Sequence, residues 1–314
     1  MQQKSIMIEI SNLTKKLGKQ HVINDLSLVA QGQECIGLFG HGGAGKTTLL
    51  KLMAGLLKPC SGHVSILGFN TRTHRLQVAQ AIGYQPDPGI NRSTMSVAGF
   101  LNLIATFRRF CGAEKRKRLD RIIMQLELSA VLKEPLNALP MGLQRKVALA
   151  QAILHDPGVL LLDEPTEGMS PYQQCKIRTL IQTLAEEMTV IVATRDCDAL
   201  SGICTRALVM GGGRLLADTT MPELQRSSRY YRAVTLAADT PLDLLALAVL
   251  PGVAGIEEDR HSPGTVTVLA MPGHAIYPPI SALIAKRGWQ ITALNLEPGR
   301  LNDVVHHLSQ GASL

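Results

Sequence analysis

The sequence lacks the cysteine patterns of secreted and metal-structured proteins. Its six cysteines form no C-x-x-C pair and show no spacing typical of metal ligands. We therefore expect free thiols in a reducing compartment rather than a disulfide framework. The cysteines are Cys35, Cys60, Cys111, Cys175, Cys197 and Cys204.

No apolar segment is long enough to span a bilayer. The most hydrophobic stretch, residues 244–256, is interrupted by Pro251, whereas a spanning helix needs about 20 apolar residues. The N-terminal segment is too short in its apolar part for a secretory signal. We therefore expect a cytoplasmic protein for which any link to a membrane is made through a partner.

Aromatic residues are scarce, at 4% of the chain, and none occurs in the most basic segment. Residues 115–118 and Arg121 in this segment concentrate part of the formal net charge of +7. Proteins that bind single strands stack bases on aromatic rings, so the segment argues against nucleic acid as a partner. Two interpretations stay open: a solvated helix face, or a contact with anionic lipid headgroups or an acidic partner.

The most informative segment that is present begins at Gly40. It reads GHGGAGKTT after the apolar run 34–39 and satisfies the G-x-x-x-x-G-K-S/T pattern of a phosphate-binding loop. Glycines allow positive φ angles and let backbone N–H groups approach a phosphate. Lys46 supplies an ammonium for the β and γ oxygens, Thr47 a hydroxyl for Mg²⁺, and a helix over 47–57 points its N-terminus at the anion. The predicted nucleotide-binding residues are Gly40, His41, Gly42, Gly43, Ala44, Gly45, Lys46, Thr47 and Thr48.

A second segment carries two adjacent acids. Residues 159–165 read VLLLDEP, so a buried strand delivers Asp163 and Glu164 at its C-terminal edge, where ligands bind in such sheets. Asp163 is predicted to hold the Mg²⁺ shell. Glu164 is predicted to be catalytic, because it is placed to orient or deprotonate an attacking water.

The chain predicts an α/β domain followed by a smaller one. Over residues 1–228, short β-branched runs alternate with helical patterns, and residues 92–155 predict an inserted helical subdomain. Residues 229–314 have the order βαββαβ of a small ferredoxin-like α+β domain. The predicted strands of the first domain are residues 6–10, 35–39, 81–84, 159–162, 190–193 and 207–210. For the second domain the prediction is strand 232–237, helix 241–249, strands 253–257 and 265–270, helix 277–287, strand 290–295 and helix 300–308.

In their order these segments resemble the ATP-binding subunits of ATP-binding cassette (ABC) transporters. The resemblance covers essentially the whole chain, and the C-terminal domain, with Leu296-Glu-Pro and Leu301-Asn-Asp-Val-Val, looks like that of exporter-type subunits of the drug, lipid and organic-ion group. The run GLFGHGGAGKTT is also similar to subunits that serve copper-site maturation of nitrous-oxide reductase. The remaining shared segments are Ile82-Gly-Tyr-Gln-Pro-Asp87, Leu139-Pro-Met-Gly-Leu-Gln-Arg-Lys-Val147, His155-Asp-Pro157, LLLDEPT and Thr189-Val-Ile-Val-Ala-Thr-Arg195.

This resemblance implies the phosphate-loop NTPase fold of an ABC cassette, with ATP and Mg²⁺ as cofactors. It also implies two kinds of protein partner: a transmembrane permease subunit, and a second cassette subunit in a homodimer or heterodimer. In the family, two cassettes sandwich two ATP molecules, so that the phosphate loop of one and the signature loop of the other meet at each nucleotide.

The sequence departs from the family in the signature loop. The family signature reads Leu-Ser-Gly-Gly-Gln or Leu-Ser-Lys-Gly-aromatic, and here the corresponding residues, which would face the opposite nucleotide, are Leu139, Pro140, Met141, Gly142 and Leu143. Pro140 has neither the serine hydroxyl nor a backbone N–H. Because proline is tolerated in a first helical turn, we expect the following helix to persist.

Four further departures concern the nucleotide site. Arg195 replaces the switch histidine; it is permanently charged and could clamp a γ-phosphate, but it cannot act as a neutral acceptor. Asp87 replaces a glutamine or glutamate; it is shorter than glutamate by one methylene but still able to approach Mg²⁺ or its waters. Ser170 replaces the aspartate of the loop after the paired acids. Leu17 replaces an aromatic ring on the adenine, which should weaken binding by about 1 to 3 kcal/mol.

We therefore expect a cassette subunit that binds MgATP but hydrolyses it slowly, since losing one donor to a developing charge typically slows a reaction about 10²- to 10³-fold. In the leading interpretation, closure on ATP drives a transmembrane partner, most simply for export. The alternative is a non-hydrolytic, nucleotide-dependent regulatory or assembly subunit paired with another cassette protein. A cassette ATPase that acts on nucleic acid is disfavoured, because only one phosphate loop is present.

Overall fold

The structure is a computed structural model that describes residues 5–87, 94–200, 202–259, 262 and 264–311. The chain divides into two compact units, one of residues 1–219 with 308–314 and one of residues 220–307. The predicted boundary after residue 228 lies slightly beyond this division. Residues 92 and 93, at the start of the predicted helical subdomain, lie outside the described residues.

The first unit alternates strands and helices. Along the chain its elements are β1 (Ile6–Leu17), β2 (Gln20–Gln31), β3 (Cys35–Phe39), α1 (Lys46–Met53), β4 (Ser61–Ile66), β5 (Phe69–Asn70), α2 (Arg75–Ala81), β6 (Ile82–Gln85), α3 (Val97–Phe107), α4 (Gly112–Gln125), α5 (Met141–Ile153), β7 (Val159–Asp163), α6 (Pro171–Glu187), β8 (Thr189–Thr194), β9 (Arg206–Gly211) and β10 (Arg214–Thr220).

Two sheets organise this unit. The larger has the strand order β10-β9-β3-β8-β7-β6, in which β9, β3, β8, β7 and β6 pair in parallel. Its central strands β3, β7 and β8 are buried along their whole length, as expected when both faces of a parallel sheet are covered. The smaller sheet has the order β2-β1-β4-β5. The parallel arrangement brings the C-terminal ends of β3, β6, β7 and β8 to one edge, where ligands bind in such folds.

Helices occupy the chain between β6 and β7. In α3 the side chains of Val97, Leu101 and Ala105 are buried, and α4 buries Leu119 and Ile122. These positions recur at the helical spacing that the sequence showed. The third helix, α5, begins at Met141, directly after Pro140, whose φ of −54° is compatible with a helix start.

The second unit has the order βαββαβ. The elements in this order are β11 (Val234–Ala238), α8 (Leu244–Ala248), β12 (Val253–Glu258), β13 (Thr265–Ala270), α9 (Tyr277–Arg287) and β14 (Ile291–Leu296). They are preceded by α7 (Met221–Arg226) and followed by α10 (Leu301–Gly311), whose residues from 308 onward belong to the first unit. The sheet order β12-β13-β11-β14 is antiparallel throughout, which is the ferredoxin-like arrangement. Its core joins strand residues such as Val234 and Val268 to Leu247, Ile276 and Ile280 of the helical segments.

The length and polarity of the helices bear on membrane insertion. Within the residues that the structure describes, no helix combines the length and the apolar character needed to cross a bilayer.

Candidate nucleotide-binding site

The loop between β3 and α1 can be built only with glycine at two positions. Gly40 has a φ of 149° and Gly45 a φ of 103°, a region that side-chain-bearing residues rarely adopt. A Cβ atom would lie 2.4 Å from the Met210 carbonyl oxygen at Gly40, and 2.6 Å from the Val22 carbonyl oxygen at Gly45. The backbone is therefore folded tightly enough to present its N–H groups toward a bound anion.

Lys46 is the first residue of α1 and its ammonium lies across the loop. Its Nζ donates to the carbonyl oxygens of Gly40 at 2.5 Å and His41 at 3.2 Å. Burial lowers the pKa of Lys46, and the carboxylate of Glu164 opposes that shift. The ammonium is thus held at the mouth of the loop, beside the helix N-terminus that favours a phosphate.

These elements form one open cleft. It brings together all but one of the predicted nucleotide-binding residues, all three predicted Mg²⁺-site residues and both predicted catalytic residues. The residues that line it are Val22, His41, Gly42, Gly43, Ala44, Gly45, Lys46, Thr47, Thr48, Asp87, Asp163, Glu164 and Arg195. Gly40 does not line the cleft, but its carbonyl oxygen accepts a hydrogen bond from Lys46 Nζ.

Asp163 and Thr47 form a site that fits Mg²⁺. Asp163 is 1% exposed, and its Oδ2 atom has no hydrogen-bond partner among the described residues. Burial raises the pKa of Asp163, against the hydrogen bond with Thr47 that lowers it. No group of three or more His, Cys, Asp or Glu side chains in the described residues could hold a metal. Mg²⁺ is typically held by one or two carboxylates with phosphates and water, and the Asp163 carboxylate with the Thr47 hydroxyl suits that donor set.

Glu164 is held by hydrogen bonds to its backbone and its side chain. Its φ of 46° lies in the left-handed region, a conformation that costs about 1 to 3 kcal/mol for a residue other than glycine. Its N–H donates to the Ala193 carbonyl oxygen at 2.9 Å, and its carbonyl oxygen accepts from Arg145 Nη1 at 2.5 Å. The side-chain oxygen Oε2 accepts from the Thr194 hydroxyl at 2.9 Å.

Arg195 lies against the other oxygen of the same carboxylate. Its Nε is 3.6 Å from Glu164 Oε1, an ion pair longer than a hydrogen bond, and its side chain is 65% exposed. Burial raises the pKa of Glu164, whereas Thr194, Lys46 and Arg195 act to lower it. Burial is the larger effect, so the pKa of Glu164 is raised overall. What disfavours its action as a base is that Thr194 and Arg195 engage its two carboxylate oxygens.

Asp87 follows β6 and faces the cleft, but it already has a partner. Its Oδ1 accepts from Arg145 Nη2 at 2.8 Å, and Arg145 also bonds Glu167 Oε2 at 2.9 Å. The assignment of Asp87 to the Mg²⁺ site thus stays a prediction, and Oδ1 is shared with a guanidinium.

The signature-loop residues do not line the cleft of their own chain. Pro140 is the N-terminal cap of α5 and caps it with no side-chain hydrogen bond. Met141 is half exposed and Gly142 is buried. Pro140 and Met141 are thus the exposed residues of the loop, and its action on an opposing nucleotide stays a prediction.

The structure gives Ser170 a local role. Ser170 caps α6, because its Oγ accepts from the Gln173 N–H at 3.4 Å and its own N–H donates to Gln173 Oε1 at 3.1 Å. This reciprocal pair is a capping box. Leu17, at the end of β1, is 51% exposed and does not line the cleft among the described residues.

Part of the basic run holds α4 to the segment before β7. Arg118 pairs with Glu114 at 3.1 Å and with Asp156, and Arg121 pairs with Asp156 at 2.5 Å. Lys115 donates to the Thr106 hydroxyl at 3.0 Å. These contacts favour the structural interpretation for Lys115, Arg118 and Arg121.

Three residues of the site were not predicted from the sequence. Val22 lines the cleft from β2, Thr194 bonds Glu164, and Arg145 bonds three groups around it. The position of Arg145 carried a signal, because Ala148, Leu149 and Ala152 follow it at the helical spacing of a buried face. A buried arginine needs acidic partners.

Comparison with known proteins places this geometry in a family. Residues 23–167 match the family model described as "ABC transporter". The chain is 31% identical over 221 residues, 68% of its length, to the uncharacterized ABC transporter ATP-binding protein YdbJ of Bacillus subtilis, of which 70% is covered. It is 28% identical over 235 residues, 72% of its length, to the bacitracin transport ATP-binding protein BcrA of Bacillus licheniformis, of which 74% is covered.

A solved structure agrees with these matches. The dimeric structure of MJ0796, described as a bacterial ABC transporter cassette, has a TM-score of 0.62 and 25% identity, and the match covers 68% of this chain and 99% of that one.

Proposed function

This chain belongs to the ABC transporter ATP-binding proteins, and we propose that it binds MgATP firmly, hydrolyses it slowly and serves a membrane exporter. Slow hydrolysis is inferred from the contacts of the Glu164 carboxylate. Thr194 donates a hydrogen bond to one of its oxygens, and Arg195 pairs with the other. The phosphate loop, Lys46, Thr47 and Asp163 retain the groups that bind nucleotide.

Binding is assigned to residues whose geometry suits a triphosphate. The N–H groups of the loop and the start of α1 surround the β-phosphate, and the Lys46 ammonium moves from the loop carbonyls to the β and γ oxygens. Thr47 and Asp163 would hold Mg²⁺, which would supply positive charge beside the phosphates. Hydrolysis requires a carboxylate that can orient or accept a proton from water, and at Glu164 both oxygens are engaged.

Export through a partner is proposed from the relatives. The name of BcrA describes an ATP-binding protein of bacitracin transport. We extend this to an exporter in which a transmembrane permease carries the substrate and a second cassette copy or relative completes the dimer. The protein then lies on the inner face of the membrane through the permease. In this proposal residues 1–228 are the cassette and residues 229–314 an accessory domain.

A second candidate is a regulatory or assembly subunit that closes on ATP with no useful hydrolysis. The substitution of proline at the start of α5 favours it, because Pro140 offers no donor to an opposing nucleotide. Pairing with a conventional cassette protein would then supply the turnover.

Equilibrium binding of MgATP to the purified chain tests the proposal. We expect micromolar or tighter binding by the wild type, at least about tenfold weaker binding by Lys46→Ala, and wild-type binding by Lys58→Ala, which changes an exposed lysine. A wild type that binds MgATP no better than Lys46→Ala would contradict the proposed function.

A further inference from the structure

Arg145 is the largest of the fully buried side chains, with 1% of its surface exposed. It lies in the second turn of α5, two residues after Leu143, the last residue of the signature loop. Taking a guanidinium out of water is unfavourable unless charge partners and hydrogen bonds replace the water. The chain therefore keeps a charge here that must be compensated by the groups around it.

Those groups all belong to the surroundings of the nucleotide cleft. Nη1 donates to the Glu164 carbonyl oxygen at 2.5 Å, and Nη2 donates to Asp87 Oδ1 at 2.8 Å and to Glu167 Oε2 at 2.9 Å. Asp87 and Glu164 line the cleft, and Glu167 follows in the loop after β7. One guanidinium thus joins α5, the end of β6 and the loop that carries the proposed base.

The contact to Glu164 supports a strained backbone. The φ of 46° at Glu164 is stabilised on one side by its own N–H bond to Ala193 and on the other by Arg145. Without the Arg145 donor, the carbonyl oxygen of Glu164 loses a charge-assisted bond. The carboxylate of Glu164 would then no longer be held at a fixed place beside Thr194.

The contact to Asp87 decides which acid is free for a cation. Asp163 keeps an unpartnered Oδ2 atom, whereas Asp87 shares Oδ1 with the guanidinium. Asp87 also raises the pKa of Asp163, behind the larger effect of burial, so the two carboxylates sense each other's charge. Removing the guanidinium would leave Asp87 and Glu167 without this partner, and of the two Asp87 lines the cleft.

We infer that Arg145 is a positioning residue that fixes the Glu164 peptide and withholds Asp87 from Mg²⁺, leaving Asp163 as the metal carboxylate. This rests on the proposed function and deepens it. It also revises the sequence-based assignment of Asp87 to the metal site. A change at Arg145 should therefore have two separate effects. Loss of the bond to Glu164 should change the reaction rate, and release of Asp87 should change the affinity for Mg²⁺.

The first test uses Mg²⁺ alone. Thermal melts across a Mg²⁺ series give the concentration that produces half of the stabilisation. Arg145→Gln should lower it by about tenfold because Asp87 is released, Asp87→Asn should leave it unchanged, and the double variant should return it to the wild-type value. Arg206→Gln and Arg206→Gln/Asp218→Asn are matched controls, since Arg206 pairs with Asp218 at 2.7 Å outside the cleft.

The second test separates positioning from binding. In single turnover with excess protein, Arg145→Gln and the double variant should both lower the maximal rate to that of Glu164→Gln, with the half-saturating MgATP concentration within twofold of the wild type.

Three results would overturn the inference. The first is an Arg145→Gln variant whose Mg²⁺ concentration for half of the thermal stabilisation equals that of the wild type. The second is weaker stabilisation of Asp87→Asn by Mg²⁺. The third is an Arg145→Gln variant in which the half-saturating MgATP concentration changes and the maximal rate does not. Asp87→Asn retains the buried arginine, so its result stands even if Arg145→Gln does not fold. Because the melts contain no nucleotide, failure of the wild type to bind MgATP would remove the proposed function and leave the Arg145–Asp87 result readable.

Discussion

Arg195 Nε lies 3.6 Å from Glu164 Oε1, so a permanent positive charge faces the carboxylate that is placed to act on water. The other oxygen of Glu164 is occupied by Thr194 at 2.9 Å. Arg195 acts to lower the pKa of Glu164, whereas burial, the larger effect, raises it. Occupation of both carboxylate oxygens therefore gives a physical reason for slow hydrolysis, and it requires no loss of nucleotide binding.

Replacing Arg195 by histidine should raise the rate of ATP hydrolysis by about 10- to 100-fold. A neutral imidazole removes the permanent charge from Glu164 and can accept a hydrogen bond. Steady-state phosphate release measures the effect. Arg195→Lys is the control, because it keeps the charge and should stay slow; equal rates in the two variants would argue against the pairing as the cause.

Asp163→Asn should remove the Mg²⁺ dependence of nucleotide binding. The unpartnered Oδ2 atom of Asp163 is the carboxylate oxygen free for the ion. We expect ATP affinity in Mg²⁺ to fall by about tenfold or more, while affinity in chelator stays unchanged. Titration calorimetry with and without Mg²⁺ measures this, with Asp218→Asn as the control outside the cleft. A full Mg²⁺ effect in Asp163→Asn would place the metal elsewhere.

Pro140→Ser should increase both the stability of the protein and its rate of ATP turnover. Serine can cap α5, which has no side-chain cap, and caps of this kind contribute about 1 kcal/mol. If the loop serves the nucleotide of another copy, the variant should also raise the rate per molecule as protein concentration increases. Pro135→Ser is the matched control. A concentration-independent rate would show that the gain does not depend on a dimer.

The stability of the protein should fall between pH 6.5 and about 4 because of His155. Its Nε2 atom lies 3.1 Å from the Ile82 carbonyl oxygen, and burial, with the charges of Arg108 and Arg118 against that of Asp156, lowers its pKa from 6.5 to about 4. In this window the unfolded chain binds more protons than the folded one. The contribution of neutral His155 is therefore complete above pH 6.5 and is lost on acidification.

Melting temperatures measured across that pH range test the assignment. His155→Gln should show a shallower decline than the wild type, whereas His63→Gln, which changes an exposed histidine, should retain the wild-type slope. Parallel declines in all three proteins would assign the pH dependence to other groups.

The buried parallel strands could be predicted closely from the sequence. Residues 35–39 were predicted as a strand and form β3 with the same ends, because a short apolar run between turn residues has few other solutions. β2 was missed, since Asn24 and Asp25 interrupt its pattern and Asp25 takes a φ of 52°. Its period of two becomes clear only from Leu26 onward, where alternate residues are buried.

The functional site also contains residues that local sequence predicts and residues whose contacts depend on the fold. The phosphate loop is local in sequence, and its residues could be named before the fold was known. Arg145 acts on Asp87 and Glu164, which are far from it in sequence, so its three partners depend on how α5 packs against β6 and β7. Spacing could show that Arg145 is buried, but the fold decides what it bonds.

The central claim is that nucleotide binding and hydrolysis are separated in this chain. ATP turnover and MgATP affinity, measured together for the wild type and Glu164→Gln, test it most directly. We predict similar MgATP affinities and a wild-type turnover no more than a few-fold above that of Glu164→Gln. A wild type that hydrolyses ATP rapidly, with the activity abolished in Glu164→Gln, would contradict the account.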